Sequence, residues 1–156
     1  MKAAIPSSPV LLSIVLSISL LSARSEKQLK RKDVPQPVIA SFEKTYPNAK
    51  ATGFSVETEN GNKEYEVEST DGPTRRDITF DPQGVIISIE ETLGSKDLPD
   101  SVRTAFSKGY SKAKILKCEK VTERGVTTYE LQVQSGKWKL ELVYSPAGAL
   151  VRTEKK

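Results

Sequence analysis

Residues 65–84 read YEVESTDGPTRRDITFDPQG, and residues 129–148 read YELQVQSGKWKLELVYSPAG. The two stretches share their Tyr-Glu start, their central glycine and their final Pro-x-Gly. Each contains two runs in which apolar and polar residues alternate, and a period of two is typical of strands. The glycine between the runs predicts a tight turn. We therefore expect each stretch to form an antiparallel hairpin.

The match between the stretches extends over most of the chain. Residues 32–92 align with residues 96–156 without a gap, at an offset of about 64 residues. The tetrads Asp81-Pro82-Gln83-Gly84 and Ser145-Pro146-Ala147-Gly148 occupy matched positions, and both suit a type I turn. The sequence therefore contains an internal repeat.

Each copy of the repeat begins with a predicted helix. Asp33 and Asp97 are expected to cap these helices, with a proline in each first turn. The helices are expected to end near Tyr46 and Tyr110. Apolar residues recur at helical spacing, namely Val34, Val38 and Phe42 in the first copy and Leu98, Val102, Ala105 and Phe106 in the second.

Turn residues divide the remainder of each copy into four short strands. The predicted fold class is α+β, a tandem repeat of one helix followed by a four-stranded antiparallel sheet. We expect the two copies either to pack together or to join their sheets, because a module of about 60 residues is marginal alone. The predicted organisation is a signal peptide at 1–25, a charged linker at 26–31, the first repeat at 32–92 and the second at 96–156.

Residue parity along the strands predicts which side chains are buried. A hairpin centred on Ser135-Gly136 would pair Tyr129 with Leu142, Leu131 with Leu140 and Val133 with Trp138. The predicted core consists of Phe42, Phe54, Tyr65, Ile78, Phe80, Phe106, Cys118, Tyr129, Leu131, Trp138, Leu140 and Leu142.

The opposite parity predicts one solvated sheet face. In the second copy this face carries the residues that we predict to contact a partner, namely Glu130, Gln132, Lys137, Lys139 and Glu141. In the first copy it carries Glu64, Glu66, Glu68, Arg75 and Asp77.

The beginning of the chain has the pattern of a secretory signal peptide. Lys2 precedes an apolar stretch from Val10 to Leu21, and small residues follow at Ala23 and Ser25. The apolar stretch is shorter than the roughly 20 residues that span a bilayer. We expect cleavage after Ser25 or after Ala23, no transmembrane span in the mature protein, and a periplasmic or secreted location.

Composition excludes several kinds of chemistry. The chain has no histidine and a single cysteine, Cys118, so Ser-His-Asp and Cys-His catalysis and an internal disulfide are excluded. Acidic and basic residues are interspersed, and the formal net charge is +4, which does not indicate nucleic-acid binding. No glycine-rich phosphate loop and no calcium-loop spacing occur. We predict no catalytic residue, no metal site and no cofactor.

Several strings resemble a known bacterial family. Residues 98–106 (LPDSVRTAF), 129–131 (YEL) and 80–84 (FDPQG) resemble recurring marks of the PepSY-like family, also described as β-lactamase-inhibitor-like. The resemblance covers nearly all of the chain after the signal peptide. It implies helix-plus-sheet units in tandem on secreted or periplasmic proteins, and a concave sheet face that grips an enzyme.

The functional hypothesis is that the protein is an exported, non-catalytic binding module whose partner is an extracytoplasmic protein. It would bind through its sheet faces or through the groove between the copies, in the manner of an enzyme inhibitor. A small-ligand or cation-binding envelope protein is one alternative. A hydrolase that uses the row Glu64, Glu66 and Glu68 is another, although such a pair needs separated acidities across a cleft. The partner's identity and the oligomeric state stay open.

Overall fold

The computed structural model describes residues 26–59 and 61–156. The predicted signal peptide lies outside the described residues. The helices are α1 (Gln36–Thr45) and α2 (Asp100–Gly109). The strands are β1 (Lys27–Gln28), β2 (Lys50–Glu59), β3 (Asn62–Asp71), β4 (Thr74–Phe80), β5 (Ile86–Leu93), β6 (Lys114–Glu123), β7 (Val126–Ser135), β8 (Trp138–Tyr144) and β9 (Leu150–Lys155).

All nine strands belong to one antiparallel sheet, in chain order from β1 to β9. The predicted fold class, two four-stranded sheets in tandem, is therefore wrong. The sheet is continuous because β5 pairs with β6 over six positions, from Ser88↔Glu123 to Leu93↔Cys118. Separate sheets would leave the backbone groups of both strands unpaired at an edge. β1, within the segment predicted as a linker, extends the sheet by two residues.

Both helices lie on the same face of the sheet, which we call the helix face. α1 buries Val38, Ile39 and Phe42 against Val67 and other apolar residues of the first half of the sheet. Ile78 and Phe80 are fully buried in the same cluster. Phe54 and Tyr65 pack against it as partly buried residues.

A second cluster lies under α2. Its buried members are Leu98, Val102, Phe106, Cys118, Leu131, Val133, Leu142 and Tyr144. Tyr129 and Leu140 pack against it as partly buried residues. The two halves of the sheet thus have separate cores, although their strands form one hydrogen-bonded sheet.

The helix starts differ from the prediction. Asp33 and Asp97 end short 3-10 helices, Arg31–Asp33 and Ser95–Asp97, and the residues at the N-cap positions are Pro35 and Pro99, with no side-chain cap bond. The predicted aspartate caps are wrong. A residue before proline is driven to extended geometry, so the residue after each aspartate separates it from its helix.

The hairpin between β7 and β8 is displaced from the predicted register by two residues. Leu131 pairs with Leu142, Val133 with Leu140, and Ser135 with Trp138. The difference arises because the two-residue turn is Gly136-Lys137, with Gly136 at φ +57°, and not Ser135-Gly136. A shift of two residues preserves parity, so the residues still face the predicted sides of the sheet.

The predicted burial of Trp138 is wrong. Its side chain is 45% exposed because the true register places it at the open end of β8, beyond the reach of α2. The ring instead contacts two lysines, with Lys155 Nζ 3.1 Å and Lys137 Nζ 4.9 Å from its centroid. Trp138 is therefore a solvent-facing cation–π site.

Two glycine turns fix how closely the helices approach the sheet. Gly84 has φ +81°, and a Cβ built there would lie 2.4 Å from the carbonyl oxygen of Pro37 in α1. Gly148 has φ +83° and approaches Ser101 of α2 in the same way, at 2.5 Å. Only glycine fits both the positive φ and the close contact.

Candidate functional site

The sheet face opposite the helices, which we call the outer face, carries a high density of carboxylates. Strand pairing brings these residues together across neighbouring strands, as in Glu68↔Asp77↔Glu90 and Glu119↔Glu130. Although the chain is formally positive, this face is acidic. Its carboxylates include Glu57, Glu64, Glu66, Glu68, Asp77, Glu90, Glu119, Glu123, Glu130, Glu141 and Glu154.

A concavity of about 220 Å³ lies in the middle of the outer face, across β2 to β6. We call it the acidic groove. Its lining residues are Glu57, Glu64, Glu66, Thr79, Ile87, Ser88, Glu90, Val121, Glu123 and Arg124. Five of these are glutamates, so the groove concentrates negative charge between the two halves of the sheet.

Burial and nearby carboxylates raise the pKa values of two glutamates of the groove, Glu66 and Glu90. The pKa of Glu66 rises to about 7, chiefly through burial and then through Asp77, Glu26, Glu68 and Glu90. The pKa of Glu90 is also raised, first by desolvation and then by Glu119. Both shifts mean that the ionised face is costly without a compensating cation.

A second concavity, of about 410 Å³, adjoins the groove on the outer face of β6 to β9. Its lining includes four valines, and we call it the valine patch. The lining residues are Val121, Glu123, Arg124, Val126, Thr128, Glu130, Val143, Val151 and Arg152. Val121, Glu123 and Arg124 line both concavities, so the two form one continuous surface.

Arg124 has an unusual backbone at this junction. Its φ of +47° is in the left-handed region, and it precedes Gly125 in the turn between β6 and β7. Its backbone N–H donates to the carbonyl oxygen of Ile87, at 3.0 Å. This bond ties the β6–β7 turn to β5, and so holds the two concavities together.

Basic residues compensate the carboxylates beyond the groove. Arg152 lies 3.3 Å from Glu141 and 3.1 Å from Glu154. Lys156 Nζ lies 2.8 Å from Glu141, and this bond is the main cause of the raised pKa of that lysine. Around the valine patch, therefore, acidic and basic side chains form ion pairs across β8 and β9.

The structure brings most of the predicted partner-binding residues to one face. Glu130, Gln132, Lys139 and Glu141 lie on the outer face of β7 and β8. Lys137 lies in the turn between these strands, over the ring of Trp138. Of these residues, only Glu130 lines one of the two concavities described here.

Neither concavity can be located as a site from the sequence. The row at positions 64, 66 and 68 is visible in the sequence, but its continuation through Glu90 and Glu123 is not, because the sequence leaves open whether the two copies pack together or join their sheets. The valine patch can be partly recognised in the sequence, since Val121, Val126 and Val143 occupy strand positions that face the outer side of the sheet. Apolar residues at outward positions can be recognised once the strands are assigned.

Among the described residues, metal binding, thiol chemistry and membrane insertion by a helix are not indicated. In this part of the chain, no group of three or more Asp, Glu, His or Cys side chains is placed to hold a metal ion. Cys118 is buried, and burial together with Glu119 raises its pKa to about 11, which keeps the thiol protonated and unreactive. Neither described helix is long and apolar enough to cross a membrane.

The chain belongs to the family described as "Putative beta-lactamase-inhibitor-like, PepSY-like", whose model matches residues 22–88 and 63–152. The resemblance seen in the sequence is thereby confirmed. No curated protein matches the chain.

Solved structures share the fold. A BLIP-like protein from Bacteroides fragilis is 23% identical, with 78% of this chain and 86% of that chain covered and a TM-score of 0.64. A DUF2874 family protein from Bacteroides ovatus is 24% identical, with coverages of 78% and 87% and a TM-score of 0.65. One of the "putative periplasmic proteins" of Bacteroides eggerthii is 17% identical, with coverages of 78% and 88% and a TM-score of 0.68.

Proposed function

We propose that this protein is a non-catalytic binding module that acts outside the cytoplasm and binds a protein through the outer face of its sheet. The observation that carries the proposal is the continuous surface formed by the acidic groove and the valine patch. This surface joins an apolar patch to a charged groove, and protein interfaces combine apolar and charged contacts. The family description and the periplasmic relative support an extracytoplasmic partner.

The carboxylates of the groove favour binding over hydrolysis. A glycosidase-like pair needs one carboxyl group that stays ionised and one that holds its proton. Here the pKa values of Glu66 and Glu90 move in the same direction, for the same reasons of burial and like charge. A cationic partner would lower both pKa values and stabilise the ionised carboxylates.

Affinity capture with matched charge reversals tests the proposal. The full-length protein would be used as bait against envelope and culture-medium fractions. The outer-face variant is Glu90→Lys with Glu123→Lys, and the control is Lys108→Glu with Lys112→Glu, two exposed residues in and just after α2. A protein retained by the wild type and the control but lost by the outer-face variant is the expected result.

Two outcomes would contradict the proposal. One is that the wild type retains no protein at bait concentrations that would hold a complex with a Kd of about 1 μM, equivalent to about 8 kcal/mol. The other is that the outer-face variant retains the same protein as well as the wild type does.

A further inference from the structure

The valine patch exposes apolar surface that no described element of the chain covers. Val126 is 67% exposed and Val151 is 63% exposed, while Val143 is buried among its neighbours on the same face. Contiguous apolar surface rimmed by polar residues is typical of interaction sites. The rim here consists of Glu123, Arg124, Thr128, Glu130 and Arg152.

Backbone irregularities place apolar residues on this face in both halves of the sheet. Val143 pairs with Arg152 and Tyr144 pairs with Leu150, so Val151 is an extra residue in a bulge. In β5 the same irregularity leaves Ile87 as the extra residue, and Ile87 lines the acidic groove. Bulges redirect side chains, and here they add apolar contacts to an otherwise polar face.

The charges next to the patch define the partner that would suit it. The acidic groove adjoins the patch through Val121, Glu123 and Arg124. Arg124 is the basic residue in the lining of the groove, against five glutamates, and Arg152 is engaged with Glu130, Glu141 and Glu154. An inorganic cation would leave the valines exposed, and an anionic or purely apolar ligand would meet the glutamates.

The distance between the acidic groove and the valine patch is set by the spacing of the strands. Glu90 in β5 and Val143 in β8 lie three strands apart, about 14 Å at the usual strand spacing. An extended chain covers that distance in about four residues. A single short segment that runs across the strands can therefore contact both the acidic groove and the valine patch.

We propose that the outer face binds a basic polypeptide segment, an inference that rests on the proposed function. In this segment an apolar side chain contacts the valine patch, and lysine or arginine residues about four positions away occupy the acidic groove. Charge complementarity between groove and segment sets its orientation.

Binding of defined peptides tests this partner chemistry without knowledge of the natural partner. The probe is acetyl-Lys-Gly-Lys-Gly-Lys-Gly-Leu-Leu-Gly-amide. The first control peptide has Glu in place of each Lys, and the second has Ser in place of each Leu. Binding would be measured by titration of the full-length protein, and located by the amide shifts in its ¹⁵N spectrum.

We expect the Lys/Leu probe to bind and to shift the amides of Val126 and Val151, while both control peptides bind at least about tenfold more weakly. Val126→Ser with Val151→Ser should weaken the probe about tenfold, and so should Glu90→Gln with Glu123→Gln. The charge variant should also lose part of the salt dependence, because two of the five groove glutamates are neutralised, whereas the valine variant should keep it. The control Val85→Ser, an exposed valine outside both concavities, should leave the affinity unchanged.

Equal binding of the Glu peptide, binding located away from the two concavities, or no binding of the Lys/Leu probe would each overturn the inference. These outcomes differ from a failure of the proposed function. A captured protein that depends on Glu90 and Glu123, with no effect of the Lys/Leu probe as competitor, would leave the binding module standing and reject only this partner chemistry.

Discussion

The two halves of the sheet share a backbone plan but differ in what they bury under their helices. In the first half, Arg76 faces α1, forms a 2.5 Å bond with Glu91 and lies 5.2 Å from the ring centroid of Tyr46. The matched position of the second half is Leu140, which packs against the apolar cluster under α2. The first half thus places an ion pair where the second has apolar packing, and such a pair contributes little net stability.

The outer faces differ as well. Around the groove, the pKa values of Glu66 and Glu90 are both raised, first by burial and then by neighbouring carboxylates. In the second half, Arg152 and Lys156 compensate Glu141, and valines fill the adjacent surface. The two halves therefore share a strand order but present different outer surfaces, with carboxylates around the groove in one place and paired charges beside valines in the other.

The largest expected effect concerns whether the halves unfold together. Phe80 is fully buried in the first half, and a core Phe→Ala change typically costs about 3 to 5 kcal/mol. Because β5 and β6 join the halves in one sheet, Phe80→Ala should lower the free energy of unfolding of the entire chain by about 4 kcal/mol. Urea unfolding followed by far-UV circular dichroism and by fluorescence of Trp138, in the second half, measures this.

Coincident transitions by both probes are expected for the wild type and for Phe80→Ala. The control Val85→Ala, at an exposed position, should change the free energy by less than about 0.5 kcal/mol. A Trp138 transition that stays in place while the circular dichroism signal splits would show that the halves are independent.

The next largest loss of stability is expected at the glycine turns that contact the helices. Gly84→Ala should cost about 3 kcal/mol, because the new Cβ meets a backbone carbonyl oxygen of α1 in addition to the strain of a positive φ. The matched control is Gly61→Ala, with nearly the same φ, +82°, and nothing within 4 Å. It should cost only about 1 kcal/mol, the strain alone.

Thermal or urea unfolding of both glycine variants gives the comparison. Equal losses of stability would mean that the contact between the turn and α1 contributes nothing beyond the backbone preference.

A double-mutant cycle tests the ion pair of the first half. Glu91→Gln alone should cost about 2 kcal/mol, since it leaves the partly buried guanidinium of Arg76 with Asp71, 3.8 Å away, as its remaining acidic partner. Arg76→Leu with Glu91→Gln should restore the stability to within about 1 kcal/mol of the wild type, as the apolar second half suggests. Chemical denaturation of the four proteins yields the coupling free energy, and additive losses would contradict this account.

The smallest effect is the pH dependence contributed by Glu66. Its pKa rises from 4.5 to about 7, so the folded protein retains a proton that the unfolded chain releases, and stability falls as pH rises through this window. Glu66→Gln should therefore be more stable than the wild type by about 1 kcal/mol at pH 8, with solvent screening allowed for, and nearly equal to it at pH 4.

Unfolding free energies between pH 4 and pH 8 test this sign. Glu43→Gln is a suitable control, because it removes the exposed ion pair with Arg31 and should destabilise slightly at pH 8, by at most about 0.5 kcal/mol. A Glu66→Gln variant less stable than the wild type at pH 8 would mean that Glu66 has a compensating cation.

The sequence by itself determined the repeat, the two helices with their apolar stripes, the tight turns and the side of the sheet that each strand residue faces. These features depend on local periodicity and turn chemistry, and parity survived even the two-residue register shift at Gly136. The family was recognisable for the same reason, since its marks are local structural motifs.

Only the tertiary structure decided that the strands form one sheet, that Trp138 is exposed and that the acidic groove adjoins the valine patch. Pairing between β5 and β6 joins residues about 30 positions apart, across α2, and no local pattern encodes that contact. The groove exists because this pairing places Glu90 of one half next to Val121 of the other. A surface assembled across a long-range pairing is therefore visible only after the chain has folded.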